Sequence, residues 1–190
     1  MPLIPSTVFE SLSRNSENLL KMASSDLDVY PSKKLEALNL QAPEGFIVRP
    51  LKLADFENGY LELLAQLTEV GDVSVDEFKH RFLCMAFSNP QAYFITVIED
   101  EKTKKIVASV SLVFEWKFIH KVGTRGRIED VVVDKEYRGK GFAKLLNELA
   151  VQLAKNEGVY KLSLECTDEL IPFYEKFGYK KDVNFLVLRF

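Results

Sequence analysis

Arg127-Ile128-Glu129-Asp130-Val131-Val132-Val133-Asp134-Lys135-Glu136-Tyr137-Arg138-Gly139-Lys140-Gly141-Phe142-Ala143-Lys144-Leu145-Leu146 reads as a strand, a loop and the start of a helix. Ile128 and Val131 to Val133 form a β-branched run that favours an extended, buried strand. Asp134 and Lys135 break it. Two glycines, Gly139 and Gly141, then precede a leucine-periodic segment. Such a loop lets a ligand approach the backbone closely and opens into a helix N-terminus. There, free N–H groups and the positive end of the helix dipole make a site for phosphate. The loop lacks the Lys-Ser/Thr pair of a Walker A motif and the Gly-x-Gly-x-x-Gly dinucleotide fingerprint. On these residues alone, a plain glycine-containing strand-to-helix turn remains the alternative.

Working outward, Phe46 to Leu51 is a short strand that Pro50 stops or pushes to an edge. Asp55 is placed to cap a helix carrying Phe56, Tyr60, Leu63, Leu64 and Leu67, ended near Gly71. Ser74-Val75-Asp76-Glu77 is a capping box ahead of Phe78, Phe82 and Met85 on one helix face, stopped by Asn89-Pro90. Tyr93 to Ile98 and Ile106 to Phe118 are two strands joined by a charged turn. Beyond the opening stretch, a helix runs to Asn156 and stops at Gly158. Tyr160 to Cys166 alternates as a strand, Leu170 to Phe177 is a short helix, and Phe185 to Phe190 is a final strand. The order strand, two helices, three strands, helix, strand, helix, strand describes a mixed α/β domain.

The 190 residues fit one domain with a sizeable core and an appendage. Residues 1–44 are rich in Ser, Asn, Pro and Lys with scattered apolar groups, and read as a partly ordered N-terminal arm. The domain proper is expected over 45–190. A net charge of −3 argues against a nucleic-acid surface spread over the whole domain. The two cysteines, Cys84 and Cys166, lie far apart, as do the two histidines, His80 and His120, and no Cys/His spacing suggests a zinc site or a disulfide framework, so no metal is expected. The first residues lack the pattern of a signal peptide, and no apolar run reaches membrane-spanning length. A cytoplasmic protein is the expectation.

Arg138-x-x-Gly141-x-Ala143 after an apolar strand resembles the acetyl-CoA pyrophosphate loop of the GNAT acetyltransferases. Their pattern has Gln or Arg first, Gly fourth and Gly or Ala sixth. Pro172-Phe173-Tyr174-Glu175-Lys176-Phe177-Gly178-Tyr179 resembles the aromatic segment that follows the fifth strand in that superfamily. The GNAT (acyl-CoA N-acyltransferase) fold, a mixed central sheet flanked by helices, is therefore implied. The resemblance narrows to the glucosamine 6-phosphate N-acetyltransferases. It rests on Gln66 to Gly71, Lys117 to His120, Arg125 to Val133, Leu164-Glu165-Cys166 and Phe173 to Tyr179, and covers about Gly45 to Phe190.

That family joins acetyl-CoA and glucosamine 6-phosphate to give N-acetylglucosamine 6-phosphate, on the route to UDP-N-acetylglucosamine. The amine attacks the thioester directly. The resemblance implies that Val131 and Val133 present strand backbone to the cofactor arm, and that Arg138, Gly139, Lys140, Gly141, Phe142, Ala143 and Lys144 hold its pyrophosphate. Tyr174, with Glu175 and Lys176, reaches the thioester end. Sugar-phosphate contacts are implied for Thr68, Lys117, Phe118, Ile119, His120, Glu129, Asp130, Val131, Tyr160, Lys161, Glu165 and Arg189. A reaction of this kind needs orientation, a polarised carbonyl, a proton acceptor and a proton donor for the leaving thiolate. Tyr174 is the candidate donor. Glu165, Glu129 or a water chain is the acceptor.

Each residue also has a plainer reading. Tyr174 could be core packing, Glu129 and Asp130 a strand edge in water, and His120 a surface residue. Cys166 reads as a small buried residue rather than a nucleophile. Arg189 lies in a segment apolar on both faces, where a cation needs an anion. A two-sided apolar terminal strand also fits an interface, and family members are similar in being dimers, so a homodimer is expected. Two rivals stand beside the main reading. One is a GNAT enzyme acting on another small amine or a protein N-terminus. The other is a non-catalytic acyl-CoA-binding module. Lys117, His120, Lys161 and Arg189 favour an anionic acceptor over a polyamine.

Overall fold

A computed structural model describes residues 24–188. Five strands form one sheet in the order β1-β2-β3-β4-β5. They are β1 Phe46–Pro50, β2 Tyr93–Asp100, β3 Ile106–Trp116, β4 Thr124–Val133 and β5 Lys161–Leu164. The first four pair antiparallel, and β5 runs parallel to β4. A parallel neighbour needs a crossover, and a long helix between β4 and β5 supplies it. β1 is an edge strand ending at Pro50, where a missing N–H costs least.

The helices are α1 Lys33–Glu36, α2 Tyr60–Leu64, α3 Val75–Ala86, α4 Phe142–Asn156 and α5 Ile171–Glu175. Strand alternation sorts them onto two faces. Phe46 packs edge-on against Phe142 of α4 with ring centroids 4.8 Å apart. Across the register, Phe46, Ile98, Ala108, Leu112 and Ile128 share that face. α4 buries Phe142, Leu146, Leu149, Ala150 and Leu153 against it, at helical spacing. Tyr30 joins the same face, its hydroxyl 2.6 Å from Thr96 Oγ1 and its ring tilted on Phe94. Part of the segment ahead of Gly45 thus belongs to the core. The other face carries Arg49, Val97, Ser109 and Ser111 and is covered by α2 and α3, which bury Tyr60, Leu63, Phe78 and Phe82. With both faces covered, β2 and β3 read as continuous apolar runs rather than alternating ones.

Ser74 caps α3 as expected, accepting from Glu77 N while the Glu77 side chain accepts from Ser74 N. The helix expected from Asp55 is instead two short pieces. A 3₁₀ turn spans Leu53–Phe56, and α2 begins only at Tyr60, after Gly59. The cause is Arg49. Its guanidinium binds both Asp55 carboxylate oxygens at 2.7 Å and Glu99 at 2.7 Å, so the fully buried Asp55 serves a buried ion pair rather than an α-helix cap.

The expected final strand is also absent among the described residues. Positions 180–188 have no strand partner, and Val183, Phe185, Leu186, Val187 and Leu188 are exposed. A two-sided apolar pattern signals burial, but no other part of the described chain covers this segment. Arg189 and Phe190, like most of the N-terminal arm, lie outside the described residues.

Candidate active site

β5 accompanies β4 only from the Arg125↔Lys161 pair to the Ile128↔Leu164 pair. β4 itself continues to Val133, still paired with β3. From Glu129 onward, among the described residues, one edge of β4 has no strand beside it. Backbone N–H and C=O groups there are open to an extended ligand. A bulge marks the same place. Two steps along β3, Ser109 to Ser111, face three steps along β4, Val132 to Glu129. The extra residue falls at Asp130–Val131, and Asp130 takes φ +51°. Because Ile128 pairs with Leu112 and Val132 with Ser109, the bulge switches the strand's two halves to opposite faces.

At the end of β4, Asp134 accepts from Glu136 N at 2.8 Å and opens a 3₁₀ turn, Lys135–Tyr137. Gly139 and Gly141 follow with φ of +81° and +83°, in the left-handed region that favours glycine. A Cβ built on either would meet nothing within 4 Å, so the space before the loop is open. Gly141 caps α4 and offers no side-chain acceptor, which leaves the first-turn amides of Phe142, Ala143 and Lys144 facing out. Lys140 Nζ lies 5.6 Å from the ring centroids of Phe46 and Tyr137, and Arg138 Nε reaches Val133 O at 3.4 Å. Uncapped amides, two open glycines and flanking cations form a cradle that fits a pyrophosphate.

The face of β4 turned away from α4 carries the charge. Arg125, Arg127 and Glu129 recur at period two, with Glu115 opposite Arg125 and Ser111 opposite Glu129. On β5, Lys161 and Ser163 lie beside Arg125 and Arg127, and Glu165 continues the same alternation. Arg127 Nε donates to Glu129 at 2.7 Å, and its other edge donates to Glu165. Arg125 donates to Ser163 Oγ at 2.8 Å. The carboxylates, Glu129 first, push the Arg127 guanidinium further up. Lys117 bonds Glu115 and holds its carboxyl below the usual range.

Tyr174 on α5 is buried, its ring edge-on to Tyr179 at 5.9 Å. Burial, and secondarily Cys166 just past β5, pushes its phenol up, which keeps the proton on it. Glu175 and Lys176 are exposed at the end of the same helix. Tyr179 donates to Asn147 Oδ1 at 3.4 Å, tying this segment to α4. Val131 and Val133 are half-buried on the open edge.

Phe118, Ile119 and His120, after the half-buried Lys117, form an exposed, irregular turn between β3 and β4. His120, Lys121 and Val122 there have positive φ. His120 stacks on Tyr160 with ring centroids 4.1 Å apart, which brings the turn to the start of β5 beside the exposed Lys161. Thr68 is exposed in the loop after α2. Cys166, expected to be buried, is exposed, because β5 ends at Leu164.

Three residues outside the sequence-derived set belong to this surface: Arg127, Glu115 and Gln66. The period-two charges of Arg125, Arg127 and Glu129 were a legible signal for the first. Gln66 uses both ends of its amide. It donates to Asp134 Oδ2 at 2.7 Å and accepts from Lys135 N at 3.0 Å, joining the loop that bears Thr68 to the turn ahead of the glycines. No local pattern announces such a link.

Residues 57–179 match the model of the acetyltransferase (GNAT) family. A probable glucosamine 6-phosphate N-acetyltransferase of Drosophila melanogaster is 51% identical over 132 residues. The match covers 70% of this chain and 59% of that protein, so the chain spans about three-fifths of the relative's length. A glucosamine 6-phosphate N-acetyltransferase of Arabidopsis thaliana is 42% identical, with 71% of this chain and 90% of that one covered. The crystal structure of glucosamine-6-phosphate N-acetyltransferase from Arabidopsis thaliana superposes with a TM-score of 0.74 at 39% identity, covering 77% of this chain and 99% of that chain.

Proposed function

Because this chain belongs to the GNAT acetyltransferase family, we propose that it acetylates the amine of glucosamine 6-phosphate from acetyl-CoA, giving N-acetylglucosamine 6-phosphate. The observation that carries the reading is the parting of β4 from β5 after Ile128 and Leu164, with an uncapped glycine loop at one end and charged side chains at the other. When bound, acetyl-CoA supplies an activated acetyl thioester. The loop from Arg138 to Lys144 would hold the pyrophosphate on its amides, and the free edge at Val131 and Val133 would take the extended arm. A strand N–H near the bulge polarises the thioester carbonyl. In a direct attack, Glu165 or Glu129 would orient the amine and accept its proton, and Tyr174 would protonate the departing sulfur.

Lys117, His120 and Lys161 gather where the turn after β3 meets the start of β5, and their hydrogen-bond donors suit the sugar phosphate. The exposed apolar segment Val183 to Leu188 supports a homodimer in which a second copy covers it. Function in the cytoplasm, supplying the route to UDP-N-acetylglucosamine, completes the proposal.

Thiol release with paired acceptors tests it. With acetyl-CoA, glucosamine 6-phosphate should release CoA rapidly and glucosamine poorly. Equal rates with the two acceptors would sink the phosphate-site reading.

A further inference from the structure

Arg127 stands where the two strands part. Its neighbour Ile128 forms the last β4–β5 pair, with Leu164. The next residues on that face, Glu129 on β4 and Glu165 after β5, flank the opening from opposite sides. One edge of the guanidinium, Nε, donates to Glu129 Oε1 at 2.7 Å. A terminal nitrogen donates to Glu165 Oε1 across the gap. Glu115 Oε1 lies further off, 3.9 Å from Nε. Among the described residues, the second oxygen of Glu129 and of Glu165 has no partner, so each carboxylate keeps lone pairs free for a ligand.

We infer that Arg127 is a positioning residue for the acyl transfer: it spans the mouth of the opening and fixes Glu129 and Glu165 with their free oxygens toward the acceptor amine. The inference rests on the function proposed above. Like charges brought to one place repel and tend to share a proton, and a cation between them removes that tendency. The planar fork of Arg suits the task because its edges can address two carboxylates at once, which a Lys ammonium does less rigidly. The two carboxylates flank the opening, so an amine arriving there as an ammonium ion finds an acceptor oxygen on either side and can give up its proton.

A structural role is the competing explanation, and solvent access limits it. The Arg127, Glu129 and Glu165 side chains are 27%, 35% and 39% exposed. Ion pairs so exposed add little to stability, so Arg127→Met should lower the melting temperature by less than about 4 °C.

The test is a double-mutant cycle on the full chain: wild type, Arg127→Met, Glu165→Gln and the double variant, with Arg127→Lys beside them. Arg127→Met should lower kcat/KM for glucosamine 6-phosphate about 100-fold, with KM for acetyl-CoA within about twofold of wild type, because misplaced catalytic groups cost factors of that order. In the Glu165→Gln background, where Glu129 alone is left for Arg127 to hold, the same substitution should cost less than about 10-fold. Arg127→Lys should recover part of the loss, and the cycle can be run on it alone should Arg127→Met fold poorly. An equal loss in both backgrounds would overturn the inference, since Arg127 would then act independently of Glu165. A Glu165→Gln variant as active as wild type would instead remove Glu165 from the site, and the inference would fall with that reading.

Discussion

Replacing Gly141 with alanine separates a turn from a binding site. Gly141 holds φ +83° and ψ 7° at the start of α4, with Leu145 N donating to its carbonyl at 3.0 Å. An L-residue in this left-handed conformation costs about 1–2 kcal/mol. In a domain of this size that lowers the melting temperature by about 2–8 °C. The added Cβ meets no protein atom within 4 Å, so no further loss arises from packing. It would instead project into the open space before the amides of Phe142 to Lys144. Pushing a pyrophosphate off one such amide forfeits a hydrogen bond to a charged group, worth about 1.5–3 kcal/mol, or about 10- to 150-fold in affinity. Calorimetric titration with CoA measures this directly, and S-acetyl-pantetheine, which lacks the pyrophosphate, serves as the comparison and should react unchanged. Gly126→Ala makes the contrast, because its Cβ would lie 2.8 Å from Leu162 Cδ1 and should disturb packing between β4 and β5. A Gly141→Ala protein with the expected melting shift and unaltered CoA affinity would refute the loop's assignment.

Other perturbations address the chemistry and the frame. Tyr174→Phe should lower kcat about 10²- to 10⁴-fold with little change in acetyl-CoA affinity, and an unchanged kcat would remove Tyr174 from the acid role. Burial raises the Tyr174 phenol, so its proton is retained at neutral pH and lost only as pH climbs past the ordinary tyrosine range. The alkaline limb that belongs to it should therefore lie above about pH 10. A limb below about pH 9 that disappears in Tyr174→Phe would contradict this. Asp55→Ala strips the bidentate partner from the mostly buried Arg49 and should destabilise the domain by about 3–5 kcal/mol in urea unfolding. A loss under about 1 kcal/mol would mean that Glu99 alone satisfies Arg49.

The sequence announced those parts whose cause is local. The valine run, the paired glycines and the leucine period of Arg127 to Leu146 gave β4, the loop and α4, and Ser74 with Glu77 gave the start of α3. Asp55 misled because a capping residue and a buried counter-ion look alike until Arg49 and Glu99 arrive from other strands. The β4 bulge was hidden for a related reason. Ile128 and Val132 have the same parity and read as one face, and only the register against Ser109 and Ser111 separates them. The segment before Arg189 carries a pattern of burial that the single described chain does not satisfy. The charge alternation within β4 put Arg127 on the charged face, but its place at the parting of the strands depends on where β5 stops, which that alternation does not reveal.

The Gln66 amide has a mechanical consequence. Its two ends grip Asp134 and Lys135 together, at 2.7 and 3.0 Å, so one side chain ties the loop carrying Thr68 to the turn leading to the glycines. Shortening Gln66 to alanine would remove both bonds at once and untie the Thr68 loop from the turn ahead of the glycines.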